Sequence, residues 1–81
     1  MAQIDINNFK KVNKERNTIH DEVYATYTVF DSNGEKFLQI DTYGKAERMN
    51  PEKISQSFQF NRTAATYLVN LFIEEFGLKL S

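Results

Sequence analysis

Between Lys36 and Phe60, two runs of residues alternate between apolar and polar positions in the way that predicts β-strands. Successive side chains of a strand lie on opposite sides of the sheet, so each run is divided by parity. In the first run, one side carries Leu38, Ile40 and Thr42 and the other carries Phe37, Gln39, Asp41 and Tyr43. In the second run, one side carries Ile54, Gln56, Phe58 and Phe60 and the other carries Ser55, Ser57 and Gln59.

A third strand is predicted upstream of these two, from Glu22 to Phe30, where the chain is rich in β-branched and aromatic residues. The sequence Asp31-Ser32-Asn33-Gly34 follows it. These residue types tolerate positive φ angles and local hydrogen bonding, so the sequence predicts a hairpin into the run that contains Phe37.

The C-terminal part of the chain predicts a helix from Arg62 to Phe76, capped by Asn61 and ended by Gly77 in the left-handed conformation. Apolar residues recur at helical spacing and predict the face that packs on the sheet. Its members are Ala65, Leu68, Val69, Phe72 and Phe76. Three further apolar side chains lie outside this stripe and are a candidate dimer interface, with wrapping into the core as the alternative: Tyr67, Leu71 and Ile73.

The N-terminal segment, residues 1–20, is basic and permits two interpretations. Asn7 to Arg16 fits a short helix capped by Asn7, since Phe9 and Val12 are three residues apart, and it fits an irregular basic arm equally well. The segment is also a source of one more strand. We therefore expect a single α+β domain over 1–81, in which an antiparallel sheet of three or four strands (22–60) is covered on one face by the C-terminal helix (62–76).

Length and composition restrict the class of protein further. At 81 residues, with 41% hydrophobic and 26% charged residues, the chain is typical of one small folded domain near the lower limit for a self-sufficient core. We therefore expect a homodimer or a bound partner. Cysteine is absent, which excludes disulfides and thiolate chemistry, and no signal peptide or membrane span is predicted, so we expect a cytoplasmic protein.

The net charge of −1 is distributed unevenly. Residues 1–20 carry four basic and two acidic side chains, residues 21–43 one basic and five acidic, and residues 44–62 four basic and two acidic. Two modestly basic segments thus flank an acidic hairpin. The strongly basic balance usual for proteins that bind duplex DNA is missing.

Catalytic and metal-binding patterns are not recognisable, so we expect neither an enzyme nor a cofactor or metal site. His20 is the only histidine, and no signature of a catalytic triad surrounds it. The segment from Asp31 to Glu35 lacks the length and closing glutamate of a calcium loop and is better interpreted as a turn. Asn61-Arg62-Thr63 matches a glycosylation sequon but is better interpreted as a helix cap.

The polar side of the two alternating runs is the best candidate for a binding site. Aromatic rings can stack on flat groups, while amides and hydroxyls bind their edges. The candidate residues for binding nucleic acid are Phe37, Gln39, Tyr43, Ser57 and Gln59 on the sheet, with Lys45, Arg48 and Lys53 on the following loop. The alternatives are that both sheet faces are covered, that the aromatic residues only form cross-strand pairs, and that the basic residues form a solvated loop.

The order of these segments resembles the single-stranded-DNA-binding family of transcriptional coactivators typified by positive cofactor four. The similar part runs from Tyr24 through Leu71: a strand ending at Phe30, a turn with Gly34, FLQIDTY, a loop with Pro51 and Lys53, ISQSFQF, and the helix. The resemblance implies a curved sheet followed by one helix, dimerisation, and unpaired strands held on the sheet. It also implies that Tyr43 corresponds to the aromatic residue after the third strand and Lys53 to the lysine before the last. Asp41 and Glu22 depart from the family, which would have basic residues there.

Two functions follow as hypotheses. The first is a non-catalytic module that binds single-stranded nucleic acid on the polar side of the sheet. The second is a protein-interaction module, such as an inhibitor or accessory subunit of a bacterial or phage system, which uses the sheet face or the helix surface.

Overall fold

The computed structural model describes residues 1–44 and 53–79, and the α+β class expected from the sequence is confirmed. Within these residues the strands are β1 (Ala2–Gln3), β2 (Ala25–Ser32), β3 (Glu35–Thr42) and β4 (Gln56–Phe60), and the helix is α1 (Arg62–Phe76). The strands form one sheet in the order β1-β4-β3-β2. β2, β3 and β4 are antiparallel, as predicted, whereas β1 pairs with β4 in parallel and makes the sheet mixed.

The hairpin between β2 and β3 closes through a two-residue turn at Asn33-Gly34. Ser32 pairs with Glu35, and both turn residues have positive φ angles, 52° and 77°. This is the geometry of a type I′ turn, which suits the right-handed twist of the flanking strands and strongly prefers Asn-Gly. The predicted turn is confirmed, although Asp31 and Ser32 belong to β2 and the strand begins three residues later than expected.

The predicted bounds and caps of α1 are confirmed. The Asn61 side chain accepts a hydrogen bond from the Ala64 backbone N–H at 2.9 Å, and Gly77 ends the helix with φ 63° and ψ 38°. The backbone N–H groups of Gly77 and Leu78 both donate to the Ile73 carbonyl, which satisfies a carbonyl that the helix leaves open.

The helix face that packs inward differs from the predicted one. Ala64 is fully buried, and Leu68 and Leu71 are half-buried at the matching spacing, so they form the inward face. Ala65, Val69, Phe72 and Phe76 are exposed, which corrects the prediction that they lie on the sheet. The physical reason is the position of the helix. α1 contacts β4 and the turn beside β1, so it packs on the part of the sheet near these two strands.

The N-terminal segment does not form the predicted helix over 7–16. It contains β1 and a 3-10 turn at Ile6–Asn8, where the Asp5 side chain accepts from the Asn7 backbone N–H at 3.0 Å. Residues 9–24 then follow without regular structure, which agrees with the alternative of an irregular basic arm. Val12 is exposed, so a helix here would have no apolar face to bury, and short helices depend on such packing.

Among the described residues, no helix is both long and apolar enough to cross a membrane.

Candidate functional site

The strand pairing sorts the two sides of the sheet as the sequence predicts and places the candidate residues in rows. One row contains Thr28, Gln39, Gln59 and Gln3, directly opposite one another on successive strands. The neighbouring row contains Thr26, Asp41 and Ser57. Together with Phe30, Phe37, Tyr24 and Tyr43, these rows form a surface that we call the polar face. The other side, the apolar face, carries Tyr27, Val29, Leu38, Ile40, Phe58 and Phe60.

A ladder of hydrogen bonds crosses the polar face. Gln59 Nε2 donates to Gln39 Oε1 at 2.8 Å, Gln39 Nε2 donates to Asp41 Oδ1 at 2.9 Å, and Ser57 Oγ donates to the same oxygen at 2.5 Å. Each bond fixes the rotamer of the next side chain, so the ladder holds the central polar groups in one arrangement.

Asp41 organises this ladder instead of facing solvent. Its exposed fraction is 6% and that of Ser57 is 3%. Hydrogen bonds to a carboxylate are stronger than those between neutral groups, so the two donors compensate much of the cost of burial. The Asp41 side chain is therefore held inside the ladder and is not itself open to a ligand.

The opposite end of the ladder is at Gln59. In the described part of the chain no residue donates a hydrogen bond to its Oε1 atom, whereas its Nε2 atom is engaged with Gln39. An amide oxygen in this position can accept from an exocyclic amino group of a nucleobase. The ladder therefore ends in a hydrogen-bond acceptor whose orientation is set by the residues behind it.

Aromatic pairs stand at both ends of the polar face. At the hairpin end, the rings of Phe30 and Phe37 are stacked, with centroids 5.5 Å apart and an interplanar angle of 19°. At the other end, Tyr24 and Tyr43 are 5.2 Å apart at 45°. From Phe37 to Tyr43 the strand covers about 20 Å at the usual rise per residue.

In each pair the more exposed ring is Tyr24 or Phe30, whereas the sequence predicted that Phe37 and Tyr43 are the binding residues. Tyr24 is 44% exposed and Phe30 37%, whereas Phe37 is half-buried and Tyr43 is only 6% exposed. The Tyr43 hydroxyl is also engaged with Thr26 Oγ1 at 3.2 Å. Phe37 and Tyr43 thus support the rings of Phe30 and Tyr24, which are the surfaces open to stacking.

The basic residues of the candidate site are only partly described. Lys53 is exposed just before β4. Lys45 and Arg48 lie outside the described residues. Neither Tyr24 nor any residue of the two rows is basic.

The three residues predicted as a dimer interface differ in exposure, and Tyr67 and Leu71 line one cavity beside Phe9. Tyr67 is exposed and contacts the Phe9 ring edge-on, with centroids 6.0 Å apart, while Leu71 and Ile73 are half-buried. Leu71 belongs to the inward face of α1. The larger exposed apolar stripe of the helix is the one formed by Ala65, Val69, Phe72 and Phe76.

Two contributors to the polar face were not anticipated. Thr26 supports Tyr43, and Gln3 extends the glutamine row through the parallel pairing of β1 with β4. Thr26 could have been found by extending the parity rule to the first predicted strand. Gln3 could not, because a two-residue strand has no periodicity.

Comparisons with protein-family models, with curated proteins and with solved structures found no match for this chain.

Proposed function

We propose that the protein is a non-catalytic module that binds single-stranded nucleic acid on the polar face of its sheet. The observation that carries the proposal is the pair of exposed rings, Tyr24 and Phe30, at the two ends of a fixed row of amides and hydroxyls. Stacking on aromatic side chains tolerates any base, because every base has a π-face, and it contributes about 1–3 kcal/mol per base.

The roles proposed for the described residues follow from their positions, and those of Lys45 and Arg48 from their charge. Tyr24 and Phe30 stack on bases, and Phe37 and Tyr43 hold them in place. Gln59 accepts a hydrogen bond through Oε1, with its orientation set by Gln39 and Asp41. Lys53, together with Lys45 and Arg48, neutralises phosphates.

A titration of labelled single-stranded DNA and RNA at several salt concentrations tests this proposal. If Lys45, Arg48 and Lys53 each neutralise one phosphate, the logarithm of the association constant should fall with the logarithm of salt with a slope of about −2. The triple variant Lys45→Gln/Arg48→Gln/Lys53→Gln should flatten the slope. Absence of binding at low salt would overturn the proposal.

The second candidate is a protein partner on the same face. Its support is the acidic hairpin, since residues 21–43 carry five acidic side chains against one basic, which repels a phosphate backbone. A protein partner held by the rings and the amide row would bind with little dependence on salt. Binding of single-stranded nucleic acid that weakens with salt would favour the first candidate, and no binding at low salt would favour the second.

A further inference from the structure

The apolar face of the sheet and the flank of α1 form an open corner. Because α1 contacts β4 and the turn beside β1, no helix of the described residues covers the part of the sheet formed by β2 and β3. The exposed stripe of the helix forms a wall beside this floor. The two surfaces enclose a groove of about 420 Å³, lined on the apolar side by Val29, Leu38, Phe60, Ala65 and Val69.

Large apolar side chains are exposed to solvent on both sides of this groove. On the floor, Val29 is 53% exposed, and on the wall Val69 is 51% exposed. Phe72 and Phe76 continue the wall along the helix, with ring centroids 6.4 Å apart. Large apolar side chains exposed on two adjoining surfaces are typical of a protein interaction site.

The solvent-accessible area of the chain is larger than that of a typical compact monomer of the same mass. A folded monomer of 9.5 kDa exposes about 5,000 Å². This chain exposes 7520 Å², roughly 2,500 Å² more. Its radius of gyration is 14.9 Å, against about 12 Å for a compact domain of this length. The total is summed over all 81 residues, and the exposed stretch 10–23 accounts for part of the excess. A standard interface needs about 800 Å² from each partner.

We propose that a second copy of this chain fills the groove, with the helix flank of each copy on the sheet floor of the other. The apolar residues of the sheet floor would be buried by a helix, and those of the helix flank would be buried by a sheet. A second copy supplies both at once, which is the self-complementarity required of a two-fold interface. The groove lies mainly on the apolar face and reaches the polar face only at Phe37, so the proposed dimer leaves the rest of both polar faces free.

The first test is the mass of the protein in solution by sedimentation or light scattering, over a concentration series. The unaltered chain should be a dimer at micromolar concentration, and Val69→Glu should be a monomer with an unchanged circular dichroism spectrum. Thr63→Glu places the same charge on an exposed part of α1 outside the groove and should stay dimeric. A monomeric unaltered chain at 100 µM would overturn the proposal, whether the groove then takes another protein or nothing.

A second pair of variants tests the floor and covers the case in which Val69→Glu does not fold. Val29 and Thr28 are adjacent in β2, and both are exposed on opposite sides of the sheet. Val29→Glu should dissociate the dimer and Thr28→Glu should not. Dissociation by both variants or by neither would contradict this placement of the interface.

The absence of cysteine allows a direct test of the arrangement. Chains carrying Val29→Cys and chains carrying Val69→Cys, distinguished by mass, are mixed and treated with a short thiol cross-linker. The interface predicts a cross-linked product of mixed mass, and a mixture of Thr28→Cys with Thr63→Cys serves as the control. Equal yields in the two mixtures would contradict it.

Discussion

At the scale of single residues, Asp41 has the most consequences for its neighbours. It is buried, and its Oδ1 oxygen accepts hydrogen bonds from both Gln39 and Ser57. Removal of the carboxylate leaves the Ser57 hydroxyl and the Gln39 amide without their acceptor. A buried polar group that loses its partner costs about 1–3 kcal/mol.

We therefore predict that Asp41→Ala lowers the free energy of unfolding by about 1–3 kcal/mol, measured by urea denaturation. Asp31→Ala removes an exposed carboxylate from the neighbouring strand and should change it by less than about 0.5 kcal/mol. Asp41→Asn keeps an oxygen acceptor, so its free energy of unfolding should lie between those of the two alanine variants. Equal stability of the two alanine variants would show that the ladder does not stabilise the sheet.

Tyr43 provides a second prediction at this scale. Tyr43→Phe removes the hydroxyl that pairs with Thr26 and keeps the ring against Tyr24, so stability should fall by about 0.5–1.5 kcal/mol. Tyr27→Phe removes a hydroxyl from an exposed ring on the apolar face and should have no measurable effect. Thermal denaturation compares the two variants. A larger loss for Tyr27→Phe would contradict the supporting role of Tyr43.

At the scale of elements, the β2–β3 hairpin depends on its two turn residues. Gly34 has φ 77°, a conformation that costs a residue with a Cβ atom about 1–2 kcal/mol, although a Cβ there would meet no other atom. Gly34→Ala should therefore destabilise the domain by about that amount. Asn33→Gly, in the same turn, is compatible with φ 52° and should change stability by less. Thermal denaturation of both variants measures this, and the reverse order would argue against the type I′ turn.

The elements and their faces were largely predictable, because strand parity and helix caps are local properties. Asn61 and Gly77 set the ends of α1, and the alternation from Phe37 to Tyr43 set the two sides of β3. The inward face of α1 was not predictable. Its apolar residues cover more than one side of the helix, and which side packs depends on where the helix lies over the sheet.

The same limit applies to the candidate site. The residue types on the polar face were identified from the sequence, but the division between exposed and supporting rings depends on the pairing of β2 with β3. Phe30 and Tyr24 are the more exposed rings because β2 is an edge strand, whereas β3 lies between β2 and β4. No local pattern records that strand order.

At the scale of the whole molecule, the basic stretch 10–23 is exposed throughout and has no regular structure. Such segments are cleaved first by proteases, because cleavage needs an extended and accessible chain. We predict that trypsin cuts after Lys10, Lys11, Lys14 or Arg16 before it cuts after Lys36 in β3, as followed by mass spectrometry. Equal rates would contradict the exposure of this stretch.

The central claim is that the polar face, and not the apolar one, binds single-stranded nucleic acid. Phe30 and Tyr27 test it most directly, because both are exposed aromatic residues of β2 on opposite faces of the sheet. The measurement is the affinity for labelled single-stranded DNA of Phe30→Ala and Tyr27→Ala at one salt concentration, with the fold checked by circular dichroism. We expect Phe30→Ala to weaken binding by about 1–3 kcal/mol and Tyr27→Ala to leave it unchanged. The opposite result, or equal affinities, would contradict the account.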